Sequence, residues 1–209
     1  MAKQLIEREG KNPIDLAAAG ELIASYEGFV EKPYRDSKGK WTIGFGHLIG
    51  DGSDAAYKKS SFYTGKTKMG RSGIAGKADL AGKSISRDAA KKLMMAEVAK
   101  KAQKALEDDQ IGEKLFDLSP PVRHEILSSY YRGGLSGSPK AKKLIREGKL
   151  TEAATEFLDN DEYRAAKKSG SGVATRMESL SKVLNTEAAR GATFQKAVEM
   201  GLMRKEPLL

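Results

Sequence analysis

Apolar positions along this chain recur mostly at helical spacing, in blocks separated by short glycine, serine and proline punctuation. The clearest block opens at Ser86-Arg87-Asp88, a capping hydroxyl with an acid in the first turn, and runs to about Leu106. Met94, Val98, Ala102 and Ala105 form one apolar stripe in it, while Lys91, Lys92, Lys100, Lys101 and Lys104 cover the other side. Ser119-Pro120 starts a second helix, whose Val122, Ile126, Leu127, Tyr130 and Tyr131 recur at core spacing until Gly133-Gly134 ends it. Ser138-Pro139 and Thr151-Glu152 open two more, the first with Ala141, Leu144 and Ile145 facing inward, the second with Ala153, Ala154, Phe157 and Leu158. Beyond the loop Gly170-Ser171-Gly172, Val173 to Arg176 leads into a helix carrying Met177, Leu180, Val183 and Leu184. After Arg190-Gly191, residues 192–209 read as an added segment with a short helix from about Thr193 to Met200.

The N-terminal part is patterned differently. Residues 1–11 form a polar lead-in, and Asn12-Pro13-Ile14-Asp15 has the form of a helix start, with Asn as cap and Pro at the first position. Gly20 is expected to break this helix, and a second one would run to Glu27 with Leu22, Ile23 and Tyr26 on its buried side. Trp41-Thr42-Ile43-Gly44-Phe45-Gly46-His47 is aromatic and β-branched, which predicts a short strand entering a turn. A hairpin through Asp36-Ser37-Lys38-Gly39 would return this strand alongside Tyr34 and bring Thr42 near Asp36. Ile49 to Ile85 is dense in Gly, Lys and Ser and keeps neither period for long. The pattern as a whole predicts an α+β, mostly helical protein.

Composition narrows the chemistry. With 209 residues, 39% of them hydrophobic, the chain is long enough for one ordinary domain or two small lobes sharing a core, and a single catalytic unit over 1–209 is expected. There is no cysteine, and the only histidines are His47 and His124, which points away from a metal enzyme; no cofactor is expected. The net charge of +9 comes from scattered lysines, without an arginine-rich arm or a nucleic-acid module, so nucleic acid is not an expected partner. The excess suits an anionic envelope surface equally well. The first thirty residues contain no apolar run of signal-peptide or anchor length, so the chain is expected to be made and kept in the cytoplasm, as a monomer.

Two carboxyls stand in unlike settings around the predicted hairpin. Glu27 closes a helix, where the negative end of the macrodipole and the apolar neighbours Tyr26 and Phe29 favour a carboxyl that keeps its proton, as a general acid must. Asp36 lies in the polar turn Arg35-Asp36-Ser37-Lys38-Gly39, where water and cations favour the ionised form. Two separated carboxyls with the Thr42 hydroxyl near them suit attack of water on a glycosidic bond, with about 6.5–9.5 Å between the acids in an inverting enzyme.

The full string Glu27, Tyr34-x-Asp36, Gly39-x-x-Thr42-x-Gly44-x-Gly46-His47 closely resembles the phage-type lysozymes, glycoside hydrolase family 24. The resemblance is strongest over residues 20–48 and weaker in the C-terminal half. It implies a muramidase acting on bacterial peptidoglycan, with Glu27 as general acid, Asp36 as partner carboxylate and Thr42 positioning water. It also implies a small sheet-bearing N-terminal lobe (about 20–85), a long helix (86–106), a helical C-terminal lobe (107–190) and an extension (191–209). Gly46, Leu48 and Tyr131 become substrate-contact candidates. Arg176 matches an arginine that the family sets beside its glutamate, and Glu97 occupies the position from which an acid reaches His47. In this setting Tyr57, Phe62 and Tyr63 are either sugar contacts on a flap or aromatics that tuck an insertion down. Delivery to the wall would require a holin-type partner or carriage in a virion. A non-catalytic envelope-binding or virion structural protein with the same fold is the competing reading, and a binding module has no use for the trio Glu27, Asp36 and Thr42.

Overall fold

Leu5–Ile6 (β1) and Ile14–Asp15 (β2) pair as a short antiparallel ladder, so the stretch read as a polar lead-in and helix start is extended backbone instead. Asn12 therefore does not cap the first helix, α1 (Leu16–Tyr26). Asp15 does, its Oδ1 accepting from the Ala17 and Ala18 amides at 2.8 and 3.0 Å. The carbonyls of Asn12 and Pro13 accept from Nη1 of the buried Arg123, at 3.0 and 3.1 Å, and Ile14 is buried. Gly20 lies inside α1 without breaking it; one glycine costs a helix about 1 kcal/mol relative to alanine, which the surrounding Ala and Leu offset.

The computed structural model describes residues 5–36, 38–65 and 82–203. They divide into two units, one of Ile23–Glu97 and the other of Met1–Leu22 with Val98–Leu209, and the architecture is α+β and mostly helical.

In the unit Ile23–Glu97, β3 (Val30–Arg35), β4 (Trp41–Gly44) and β5 (His47–Leu48) form an antiparallel sheet in that order. The hairpin register sets Tyr34 opposite Thr42 and Arg35 opposite Trp41, and Thr42 is paired on its other side with Leu48. A short helix, α2 (Asp54–Lys59), follows, capped by Ser53, whose Oγ accepts from the Ala56 amide at 3.1 Å. Trp41, Ile43, Ile49 and Tyr57 make the core, with Phe62, Tyr63 and Ile85 packed against it. Tyr57 stacks on Trp41 at 4.1 Å and meets the edge of Tyr63 at 5.5 Å, so these aromatics tuck the segment down. The Ile85 amide donates to the Glu31 carbonyl at 2.7 Å, returning the chain to β3; residues 66–81 of the glycine-rich stretch lie outside the described residues.

The long helix α3 (Arg87–Leu106) starts where the cap predicts, with the Ala89 amide donating to Ser86 Oγ at 3.2 Å. Its stripe of Met94, Val98, Ala102 and Ala105 is buried. Near its start, Ala90 dictates a glycine in β4. A Cβ at Gly44 would meet Ala90 Cβ at 2.8 Å, and Gly44 has φ +69°, which L side chains avoid. Gly44→Ala is thus expected to cost about 2–4 kcal/mol, overpacking added to backbone strain, read as a fall in Tm; an unchanged Tm would contradict this packing.

The other unit is built from α4 (Pro120–Arg132), α5 (Pro139–Arg146), α6 (Leu150–Leu158), α7 (Asp161–Ser169) and α8 (Gly172–Glu199). Val122, Ile126, Leu127, Ile145, Phe157, Met177, Leu180 and Leu184 are buried, and α8 packs against α4, α6 and α7. Two elements depart from the sequence reading. α7 was not expected; Asn160 caps it by accepting from the Tyr163 amide at 2.8 Å. α8 runs unbroken through Arg190-Gly191, so residues 192–199 continue this helix and are not a separate short one. Its continuation ends in exposed Phe194, Met200, Leu202 and Met203; Lys205-Glu206-Pro207-Leu208-Leu209 lie outside the described residues.

Candidate active site

α1 ends at Tyr26, and the Glu27 amide donates to the Ile23 carbonyl at 3.1 Å, which leaves Glu27 at the negative end of the helix. Its half-buried carboxyl lies over the turn that joins β4 to β5: a Cβ built on Gly46 would be 3.8 Å from Glu27 Oε2. Gly46 is exposed and has φ +82°, so a side chain there would be strained, with its Cβ in ordinary contact with the carboxyl.

Asp36 is fixed by its own turn. Its Oδ1 accepts from the amides of Lys38 and Lys40, both at 2.8 Å, while its amide donates to the Lys40 carbonyl and its carbonyl accepts from Gly39, both at 2.9 Å. Both of these amide bonds engage Oδ1, and Oδ2 takes no part in them. Thr42 is 3% exposed, and its hydroxyl donates to the Lys40 carbonyl at 3.1 Å. With the proton directed there, Oγ1 keeps lone pairs with which to accept from a donor.

Tyr34 is a site residue that the sequence reading used only as part of the motif. It faces Thr42 across the hairpin, and strand alternation sends it to the same side as Asp36. Its hydroxyl is held above the ordinary phenol range, first by burial and then by the negative charges of Glu27 and Asp36. Both carboxyls therefore act on one neutral phenol. The signal was present in the sequence as the i, i+2 spacing of Tyr34 and Asp36.

His47 Nδ1 lies 2.6 Å from Glu97 Oε1, a half-buried contact between β5 and α3, with side-chain exposures of 28% and 32%. Leu48 is half-buried beside Thr42. Arg87 stands over the rings of Phe29 and Phe45, at 5.4 and 5.1 Å, and closes the apolar side of the turn.

Tyr131 and Arg176 belong to the other unit. Tyr131 is half-buried on α4, and Arg176 lines a cavity of about 10 Å³ with Glu125, Ser128, Arg132 and Met177. Glu125 is buried and accepts from the Ser179 hydroxyl. A groove of about 1230 Å³ in that unit runs between the end of α8 and residues 148–152 and contains none of the expected site residues. Among the described residues no group of three or more His, Asp or Glu could hold a metal ion.

The family model for Phage lysozyme matches residues 24–179 of the chain. A comparison with curated proteins gives no match.

Proposed function

This chain belongs to the phage lysozyme family, whose members hydrolyse peptidoglycan, and we propose that it cuts the β-1,4 bond between N-acetylmuramic acid and N-acetylglucosamine with inversion. Glu27 is the general acid, Asp36 the partner carboxylate and Thr42 the residue that positions water. What supports this reading is that Glu27 at the end of α1 and Asp36 in its turn both act on the phenol of Tyr34, which lies opposite Thr42, whose hydroxyl proton is already directed to a backbone carbonyl.

Glu27 gives its proton to the glycosidic oxygen as the bond to the leaving sugar breaks. A water donates one hydrogen bond to Asp36 Oδ2 and another to Thr42 Oγ1, so that its lone pair faces the anomeric carbon from the opposite side. Asp36 takes the proton released by that water. Gly46 leaves space for sugar next to the Glu27 carboxyl, with Leu48 as a further sugar contact. The His47–Glu97 pair supports the site. The partner in the wall is peptidoglycan, reached by a holin-type route or from a virion by a monomeric enzyme. Among the described residues no helix is long and apolar enough to cross a membrane.

Product chemistry tests this. Digested peptidoglycan, reduced with borohydride, should yield muramitol ends, and NMR of the fresh product should show the α anomer. Glucosaminitol ends, anhydro-muramic ends or a β product would each reject the corresponding part of the reading.

A further inference from the structure

The turn that carries Asp36 is gripped by side chains that take no part in the steps above. Arg35 immediately precedes Asp36, and its guanidinium makes three contacts at once. Nη1 donates to the Gly39 carbonyl at 2.6 Å, Nη2 pairs with Asp54 Oδ1 on the first residue of α2, and Cζ stands 4.9 Å from the Trp41 ring. Trp41, which follows the turn and faces Arg35 across the hairpin, donates its Nε1–H to the same Asp54 oxygen at 2.7 Å. The indole is buried and stacked on Tyr57 of α2.

One carboxylate thus holds the residues on both sides of the turn, and the same helix supplies the ring that fixes the indole. A helix-start acid with only a capping role would not need an indole N–H and a guanidinium converging on one oxygen. The planar guanidinium fork reaches the Gly39 carbonyl and Asp54 together, which a single ammonium does not match. The Asp54 carboxyl is held below the usual carboxylate range, by the Trp41 N–H first and, against some burial, by the Arg35 charge, so the clip is intact at neutral pH.

We propose that Arg35, Trp41 and Asp54 are positioning residues that aim the Asp36 carboxylate. The segment after the sheet, through Asp54, thereby sets turnover without touching substrate. This rests on the reading of Asp36 as partner carboxylate. Water attack depends on where Asp36 Oδ2 stands, and misplacement by about 1 Å can cost as much as a hundredfold in rate.

Asp54→Asn keeps the size of the side chain and its acceptor for Trp41 but removes the charge that holds Arg35. With peptidoglycan fragments as substrate, kcat should fall about tenfold while KM stays within about twofold. The amides of Lys38, Gly39 and Lys40 should exchange about tenfold faster by NMR, with the β4–β5 amides unchanged. Arg35→Lys, which retains charge but not the fork, should reproduce both effects. Faster exchange with normal kcat would overturn the proposal, because the turn would loosen without consequence. A kcat loss with unchanged exchange would overturn it equally, since the effect would not pass through the turn. Normal turnover in Asp36→Ala would instead remove the reading beneath it, a failure visible without either clip variant.

Discussion

Glu27→Gln is expected to remove nearly all clearing of permeabilised cells, a loss of about 10²–10⁴-fold, while the melting temperature barely moves. The amide keeps the shape of the carboxyl and its place at the end of α1, over Gly46, but has no proton to give the leaving oxygen. A side chain that merely filled space would be served as well by glutamine. The same variant separates the enzyme from an envelope-binding protein of this fold, for which wall binding would be the whole activity and the substitution would change little. Near-normal turnover in the Gln protein would assign the acid to another residue.

Asp108→Ala is expected to cost about 3 kcal/mol near neutral pH, or roughly 6–12 °C in Tm. Asp108 Oδ2 accepts from the Tyr130 hydroxyl at 2.7 Å and pairs with Lys142 Nζ at 2.6 Å, and Oδ1 accepts from the Gln110 amide at 3.0 Å. The side chains of Asp108 and Lys142 are only 13% and 11% exposed, so alanine leaves a nearly buried ammonium and a buried phenol without their acceptor. Burial pushes the Asp108 carboxyl up, but the bonds from Lys142, Tyr130 and Gln110 together outweigh it and hold the group below its ordinary range. Burial, then the bond to Asp108, raises the Tyr130 hydroxyl. A carboxyl depressed in the folded state contributes its full stability above the unfolded value of about 3.9 and loses it as pH falls through the depressed folded value. The penalty of Asp108→Ala should therefore be large at pH 6–7 and shrink steadily below about pH 4. Melts showing the same penalty at pH 3 and pH 7 would mean that the loss is packing and not charge.

How much was legible follows from how local each determinant is. Ser86, Ser119-Pro120 and Ser138-Pro139 mark helix starts because a cap or an N1 proline acts within one turn, and α3, α4 and α5 begin at those places. The hairpin register was readable for the same reason, the turn and both strands lying within a few residues of one another. α7 is not legible from periodicity because Ala166 is its one buried residue, so it has no apolar stripe; its signal is the cap Asn160 with Asp161 and Glu162 behind it. Gly191 misled in the other direction. Its intrinsic penalty of about 1 kcal/mol does not stop a helix flanked by Ala188, Ala189 and Ala192.

By itself the sequence determined where α3 to α6 begin and the spacing of Glu27, Asp36, Thr42, Gly46 and His47, because periodicity, caps and turn residues are chosen by neighbours along the chain. Tertiary structure decided what depends on groups far apart in sequence. Asn12 is not a helix cap because Arg123 takes its carbonyl and Ile14 is buried in a strand. Tyr57 is a core residue because Trp41 offers it a stacking face, and the turn of Asp36 is held by Asp54. Such choices follow from which apolar surfaces meet and which buried polar groups find partners, and no local pattern carries that information.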